Sequence, residues 1–201
     1  MQNGQQLQLD VCPHCGVSHP LLNSRASQRS TTFNGSNYRT WNLYECSSCG
    51  GMVMTVAPIH TKSVEGAITN VWPPPIVVDN SVPSRARDYL TQAIKSRHSP
   101  SGAVMLASAA IDSMLKNKGL VDGSLYSRID KAANDHLITA EMAAWAHEVR
   151  LDGNDERNAD ETVPMPAQVE ADKAIEFATA LGRFLYELPA MVTRGRKEPT
   201  S

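Results

Sequence analysis

Cys12, Cys15, Cys46 and Cys49 are the residues of this 201-residue chain best spaced for chemistry, and they are all of its cysteines. They stand in Cys12-Pro13-His14-Cys15-Gly16 and Cys46-Ser47-Ser48-Cys49-Gly50, two CxxC turns each closed by a glycine. Two thiolates at this spacing can share one tetrahedral metal at about 2.3 Å, and the glycine relieves crowding where backbone N–H groups turn toward sulfur. Two such knuckles complete a closed four-sulfur shell with no position left for substrate, the structural kind of zinc site. A pair of redox dithiols or two disulfides would use the same residues, but the doubled spacing favours one structural Zn2+. His14 sits inside the first knuckle, where the cysteines already supply a full ligand set. The pattern predicts a metal and a small β fold, and no reaction.

A second stretch, residues 147–161, is dense in ionisable and amide groups. His147 and Arg150 are three residues apart and share a helical face, and Asn154 joins them if the helix continues through Gly153. An imidazole, a guanidinium and amides together can bind and stabilise a phosphodiester. The competing structural reading puts Arg150 at a helix C-terminus, paired with Glu148 or Asp152, among carboxylates that repel phosphate. No P-loop, GxGxxG, GxSxG or HExxH motif is present. Asp112 and Asp130 read as isolated helical carboxylates and salt-bridge partners.

The elements that must position these groups divide near residues 60–80. Residues 1–60 read as a zinc ribbon. Leu7, Leu9 and Val11 alternate into the first knuckle, Trp41, Leu43 and Tyr44 lead into the second, and residues 52–56 leave it. Residues 23–37, rich in Ser, Thr, Asn and Arg, read as an exposed loop. Arg25, Arg29 and Arg39 with Tyr38 and Trp41 could form a small RNA-facing patch there, against the plainer reading of a solvated loop. Residues 61–82, with Pro73-Pro74-Pro75, read as a linker.

Residues 83–190 read as a helical bundle, and 191–201 as a polar tail. Ser81 offers an N-cap for a first helix bearing Leu90, Ala93 and Ile94. Ser99-Pro100 starts a second that Gly119 closes. Others run from Ser124 to Asp135, from Thr139 to Arg150, and after Pro166 to an end at Leu188-Pro189. The fold class is therefore α+β, mainly α. Net charge is −2, so no global basic field announces a nucleic-acid partner. The near-balance of charges over residues 1–80 also argues against a DNA-binding ribbon of the transcription type. No apolar run approaches the ~20 residues that span a bilayer. The N-terminus has no basic or apolar leader region, so no membrane role and a cytoplasmic location are expected.

The CPHCG…CSSCG ribbon, proline linker and helical segments "GSLYSRI" (residues 123–129), "DHLIT" (135–139) and "VRLDGN" (149–154) resemble the bacterial domain-of-unknown-function 4145 family. That family looks related to the HEPN (higher eukaryote and prokaryote nucleotide-binding) helical domains. Many of those are dimeric, metal-independent endoribonucleases of toxin and antiviral systems with an Arg…His motif. The resemblance implies a homodimer, Arg150 as the phosphate-stabilising group and Asn154 as its polar neighbour. The matching His falls at Asn158, where relatives read Arg-His-Ala-Asp-Glu. An amide can hydrogen-bond phosphate but cannot exchange a proton as imidazole does, and His147 is the only nearby substitute. The expectation is a catalytically degenerate protein that binds RNA or a protein partner, with a HEPN-type endoribonuclease using Arg150 as the alternative.

Overall fold

The computed structural model describes the backbone of residues 1–61, 64–158 and 164–196, and the side chains of residues 1–60, 66–149 and 164–196. The chain divides into two compact units, Met1–Ile76 and Val77–Ser201.

The first unit is an antiparallel sheet of β1 (Gln6–Leu7), β2 (Leu22–Ser30), β3 (Arg39–Cys46), β4 (Met52–Thr61), β5 (Val64–Glu65) and β6 (Asn70–Trp72). The order is β1-β2-β3-β4-β5, with β6 also paired to β4. Along β3 the two-residue period buries Thr40, Asn42, Tyr44 and Cys46 and leaves Trp41, Leu43 and Glu45 half-buried. The buried face is unusually polar, so the N-terminal segment is tied to it by hydrogen bonds. The Tyr44 hydroxyl lies 3.2 Å from both Asn3 Oδ1 and the Gly4 carbonyl, and buried Thr55 donates to Asn3 Oδ1. Leu7, Leu22, Tyr44 and Val53 pack with Cys12 and Cys46 in a small core.

Two sequence expectations change here. Residues 23–37 are not a continuous loop: β2 pairs with β3 from Leu22↔Cys46 to Ser30↔Arg39, and only residues 31–38 connect them. The side chains from Arg25 to Arg29 are all exposed, so no apolar alternation marks the strand, and backbone pairing makes it. The segment expected as a linker contains β5 and β6, and Val71 of β6 packs against the small core. The prolines that follow lack the N–H a ladder needs.

The second unit comprises α1 (Ser84–Lys95), α2 (Pro100–Asn117), α3 (Leu125–Asn134), α4 (Ala140–Asn158), α5 (Gln168–Gly182) and α6 (Leu188–Gly195). α2 is its centre. Ala103, Val104, Ala107, Ala110, Ile111, Met114 and Leu115 are buried on it, and α1, α4 and α5 pack around it. The small residues let neighbouring helices approach, and Phe177 of α5 fills space beside Trp145 of α4, edge to face at 4.9 Å. Arg97, in the α1–α2 turn, grips Asp172 of α5 with two nitrogens, and Gln168 reaches the same carboxylate at 3.0 Å.

Caps follow the sequence in part. Ser124 accepts the Ser127 N–H at 3.2 Å, and Thr139 the Met142 N–H at 3.2 Å. Ser81 does not cap: Pro83 occupies that position, and the Ser81 N–H is taken by Asp79 at 2.8 Å. α4 does not stop at Arg150 but continues through Gly153 to Asn158, carrying the roughly 1 kcal/mol that an interior glycine costs a helix. The last helix does not end at Leu188-Pro189. A π turn, Arg183–Glu187, hands it on to α6, with Pro189 in the first turn of the new segment, where a missing N–H is tolerated. Among the described residues, no helix is long and apolar enough to cross a membrane.

Candidate metal centre and candidate RNA-facing groups

The two knuckles adopt one backbone form twice. Cys12 N–H donates to the Val17 carbonyl at 2.9 Å and Gly16 N–H to the Cys12 carbonyl at 3.0 Å. In the second knuckle Cys46 N–H donates to Gly51 at 3.0 Å and Gly50 N–H to Cys46 at 2.8 Å. Gly16 and Gly50 take φ of 73° and 70°, the left-handed region that closes each turn and that a side chain disfavours. The pairing of β3 with β4 then holds the second knuckle, and the Val11↔Ser18 bridge the first.

The four Sγ atoms lie within 4.8 Å of one another, and Cys12 and Cys49 are 4.0 Å apart. A tetrahedron with metal–sulfur bonds of about 2.3 Å has edges of about 3.8 Å, so the cluster fits a single ion after small contraction. Cys12 and Cys46 are buried, Cys15 is half-buried and Cys49 exposed. Gly51 N–H points to Cys49 Sγ at 3.4 Å, the kind of donor that stabilises a thiolate. Burial opposes ionisation of Cys46, but the N–H groups of Ser48 and Cys49 outweigh it and bring the thiol down to about 7. Desolvation, with hydrogen bonding to the Cys15 and Cys46 sulfurs, pushes Cys49 up to about 12. Four thiols this close cannot all ionise unaided, and a divalent cation held among them would supply the missing charge. All four cysteines named from the sequence are thus brought together, and they are free thiols, not disulfides. His14 serves the frame: its Nε2 lies 2.8 Å from the Met52 carbonyl across the knuckles.

At the other end of the β2–β3 hairpin, the turn is pinned by its own side chains. Thr32 N–H bonds the Ser36 carbonyl at 2.8 Å, and Asn34 Oδ1 accepts from the Thr32 and Ser36 hydroxyls, each at 2.6 Å. This turn presents Phe33 wholly to solvent, with a relative exposure of 110%. Tyr38, at the end of the same connection, is half exposed, and the exposed Arg29 and Arg39 flank the turn at the strand ends. The patch read from the sequence is redistributed. Arg25 pairs with Glu45 at 2.6 Å, and Trp41 bonds Ser30 Oγ at 2.8 Å and stacks near Trp72. Phe33 escaped the sequence reading because a lone aromatic in a polar stretch has no periodicity; the Thr-x-Asn-x-Ser pattern around it is the turn signal that marks it.

In the helical unit, His147 does not stand alone. Its Nε2 lies 2.9 Å from Asp130 Oδ1 of α3, its ring is 4.3 Å from that of Tyr126, and its buried Nδ1 has no partner among the described residues. Asp130 is therefore a hydrogen-bond partner of His147, and Asp112 is a salt-bridge partner, bound to Lys116 and Arg128. Arg150, Asn154 and Asn158 fall at four-residue intervals of α4, and their side chains lie outside the described residues.

One family model, described as "Domain of unknown function (DUF4145)", matches residues 91–198, more than half of the chain. The match begins within α1 and leaves the cysteine-bearing sheet outside it. No curated protein and no solved structure matches the chain.

Proposed function

The chain belongs to the DUF4145 family, and on that footing we propose that it is a zinc-binding, non-catalytic protein that binds single-stranded RNA through its sheet unit and works as a homodimer. The observation that carries the reading is Phe33, held out to solvent on a turn that the side chains of Thr32, Asn34 and Ser36 close. A solvent-facing aromatic offers a stacking platform worth about 1–3 kcal/mol per base. Arg29 and Arg39 supply cations for the flanking phosphates without any global basic field. Zinc on Cys12, Cys15, Cys46 and Cys49 would act structurally, fixing the far ends of β2, β3 and β4. Reduced thiolates suit the cytoplasm, and bacterial or phage defence is the setting suggested by the resemblance alone. For the homodimer, the support is an apolar stripe of Phe184, Leu188, Met191 and Val192, exposed at helical spacing on the last helix.

The second reading, a metal-independent endoribonuclease using Arg150, is favoured by one observation. Asp130 orients His147 on the helix that also carries Arg150 and Asn158. Against it stands Asn158 at the position expected for His, a loss on the order of 10²–10⁴ in rate.

Fluorescence anisotropy with a labelled oligouridine tests the first reading. Wild type should bind with an affinity that falls as salt rises, and Phe33→Ala should weaken binding by about tenfold or more. Equal binding by Phe33→Ala overturns it. In the same samples, without added divalent metal, the RNA should stay intact; cleavage abolished by Arg150→Ala would establish the second reading instead.

A further inference from the structure

A cavity of about 500 Å³ opens in the helical unit along one face of α2, bounded by residues of α1 and α3. That volume is within the range of small-molecule sites. Its walls divide by chemistry. Tyr89 of α1 and Met105 of α2 give an apolar and aromatic side; Arg85, Lys116 and Arg128 bring three cations against the single carboxylate of Asp112.

The charges are poised rather than neutralised. Asp112 is shared, with one oxygen on Arg128 and the other 2.6 Å from Lys116 Nζ, so one negative charge serves two positive ones. The guanidinium of Arg85 lies 5.9 Å from the centre of the Tyr89 ring, where the aromatic face favours a cation. Arg128 is the deepest of the three at 7% exposure. It spends its terminal nitrogens on Asp112 and on the carbonyls of Val121 and Gly123, and its buried Nε–H has no partner among the described residues. A buried arginine anchored by its ends beside Lys116, with one carboxylate between the two, leaves this wall cation-rich.

We propose that this cavity binds a small aromatic anion, a carboxylate or a phosphate, with its charged group among Arg85, Lys116 and Arg128 and its ring against Tyr89 and Met105. The carboxylate of Asp112 sets the selectivity. It holds Lys116 and Arg128 in place and repels a ligand group that does not bond to both. The site is separate from the hairpin tip and owes nothing to the RNA reading.

The test is a titration of the isotope-labelled full chain, followed by NMR, with phenyl phosphate, benzoate, inorganic phosphate and benzyl alcohol. At least one of the two aromatic anions should shift signals of the cavity residues and saturate in the millimolar range, and the tighter of the two identifies the head group. Inorganic phosphate and benzyl alcohol should each bind about tenfold more weakly, because each lacks one half of the recognition. Arg85→Gln, at an exposed site on α1, should weaken the aromatic anion several-fold; Lys116→Gln gives an independent check. Absence of saturable shifts at the cavity with either aromatic anion overturns the proposal. So does benzyl alcohol or inorganic phosphate binding as tightly as the aromatic anion, or wild-type affinity in both variants.

Discussion

A methyl group added at Gly51 would lie 2.5 Å from the His14 ring and 2.8 Å from its Cβ. His14 cannot yield by swinging only its tip, because the clash reaches the base of the side chain and the ring is tied to the Met52 carbonyl. Gly51→Ala should therefore destabilise the sheet unit by about 1–3 kcal/mol and weaken its metal affinity, read by competition with a chelating dye. Wild-type metal affinity in that variant would show that His14 does not buttress the knuckles. In the helical unit, the Arg97 guanidinium holds the Asp172 carboxyl below its usual range, aided by Gln168. A carboxylate with a lowered folded pKa adds stability that is present above its unfolded value of about 3.9 and is lost as pH falls through the folded one. Asp172→Asn should thus lower the denaturation midpoint at neutral pH, with the gap to wild type closing below about pH 4. A gap that stays constant down to acid pH would contradict this. The cysteine cluster was legible from spacing alone, because CxxC-Gly is a local code. The partners of His147 were not: Asp130 and Tyr126 lie on another helix, and only tertiary packing brings them to its ring.

At the scale of elements, the last helix is the most revealing. One side of it is committed to the bundle: Leu185 is buried, and the Tyr186 hydroxyl donates to the Met114 carbonyl at 2.8 Å. The other side leaves Phe184, Leu188, Met191 and Val192 at 39–60% exposure, an apolar row with no cover among the described residues of the helical unit. If a second copy covers it, wild type should sediment as a dimer at micromolar concentration and Leu188→Glu with Met191→Glu as a monomer of unchanged helix content. A monomeric wild type would remove the dimer from the account. The sequence announces most helices through their apolar spacing, but two helix ends fall elsewhere. The fourth helix reads to Arg150, with continuation through Gly153 left open, and Pro189 reads as a stop, while the neighbouring turns carry the helix past both. β2 was illegible for the opposite reason, since a strand with solvent on both sides has no pattern to show.

At the scale of the whole molecule, the two units owe their stability to different things. The helical unit has a broad apolar core that runs from Val82 to Leu185. The sheet unit has a small one, in which two of the buried residues belong to the four-cysteine cluster. A core this small would gain much of its stability from a metal bound there. One zinc per chain is expected, and strong chelation should remove hydrogen-exchange protection from β2, β3 and β4 while α2 and α5 stay protected. Metal-free protein with protected strands would refute the structural role of the site.

The most direct test of the central claim is to find where RNA touches the chain. Full-length protein would be photo-cross-linked to 4-thiouridine RNA and the adducts mapped by mass spectrometry. Cross-links are expected in the hairpin tip, at Phe33 and Tyr38, and should be lost when Phe33 is replaced by alanine. Cross-links confined to α4, around Arg150 and Asn158, would contradict this and return the chain to the nuclease reading.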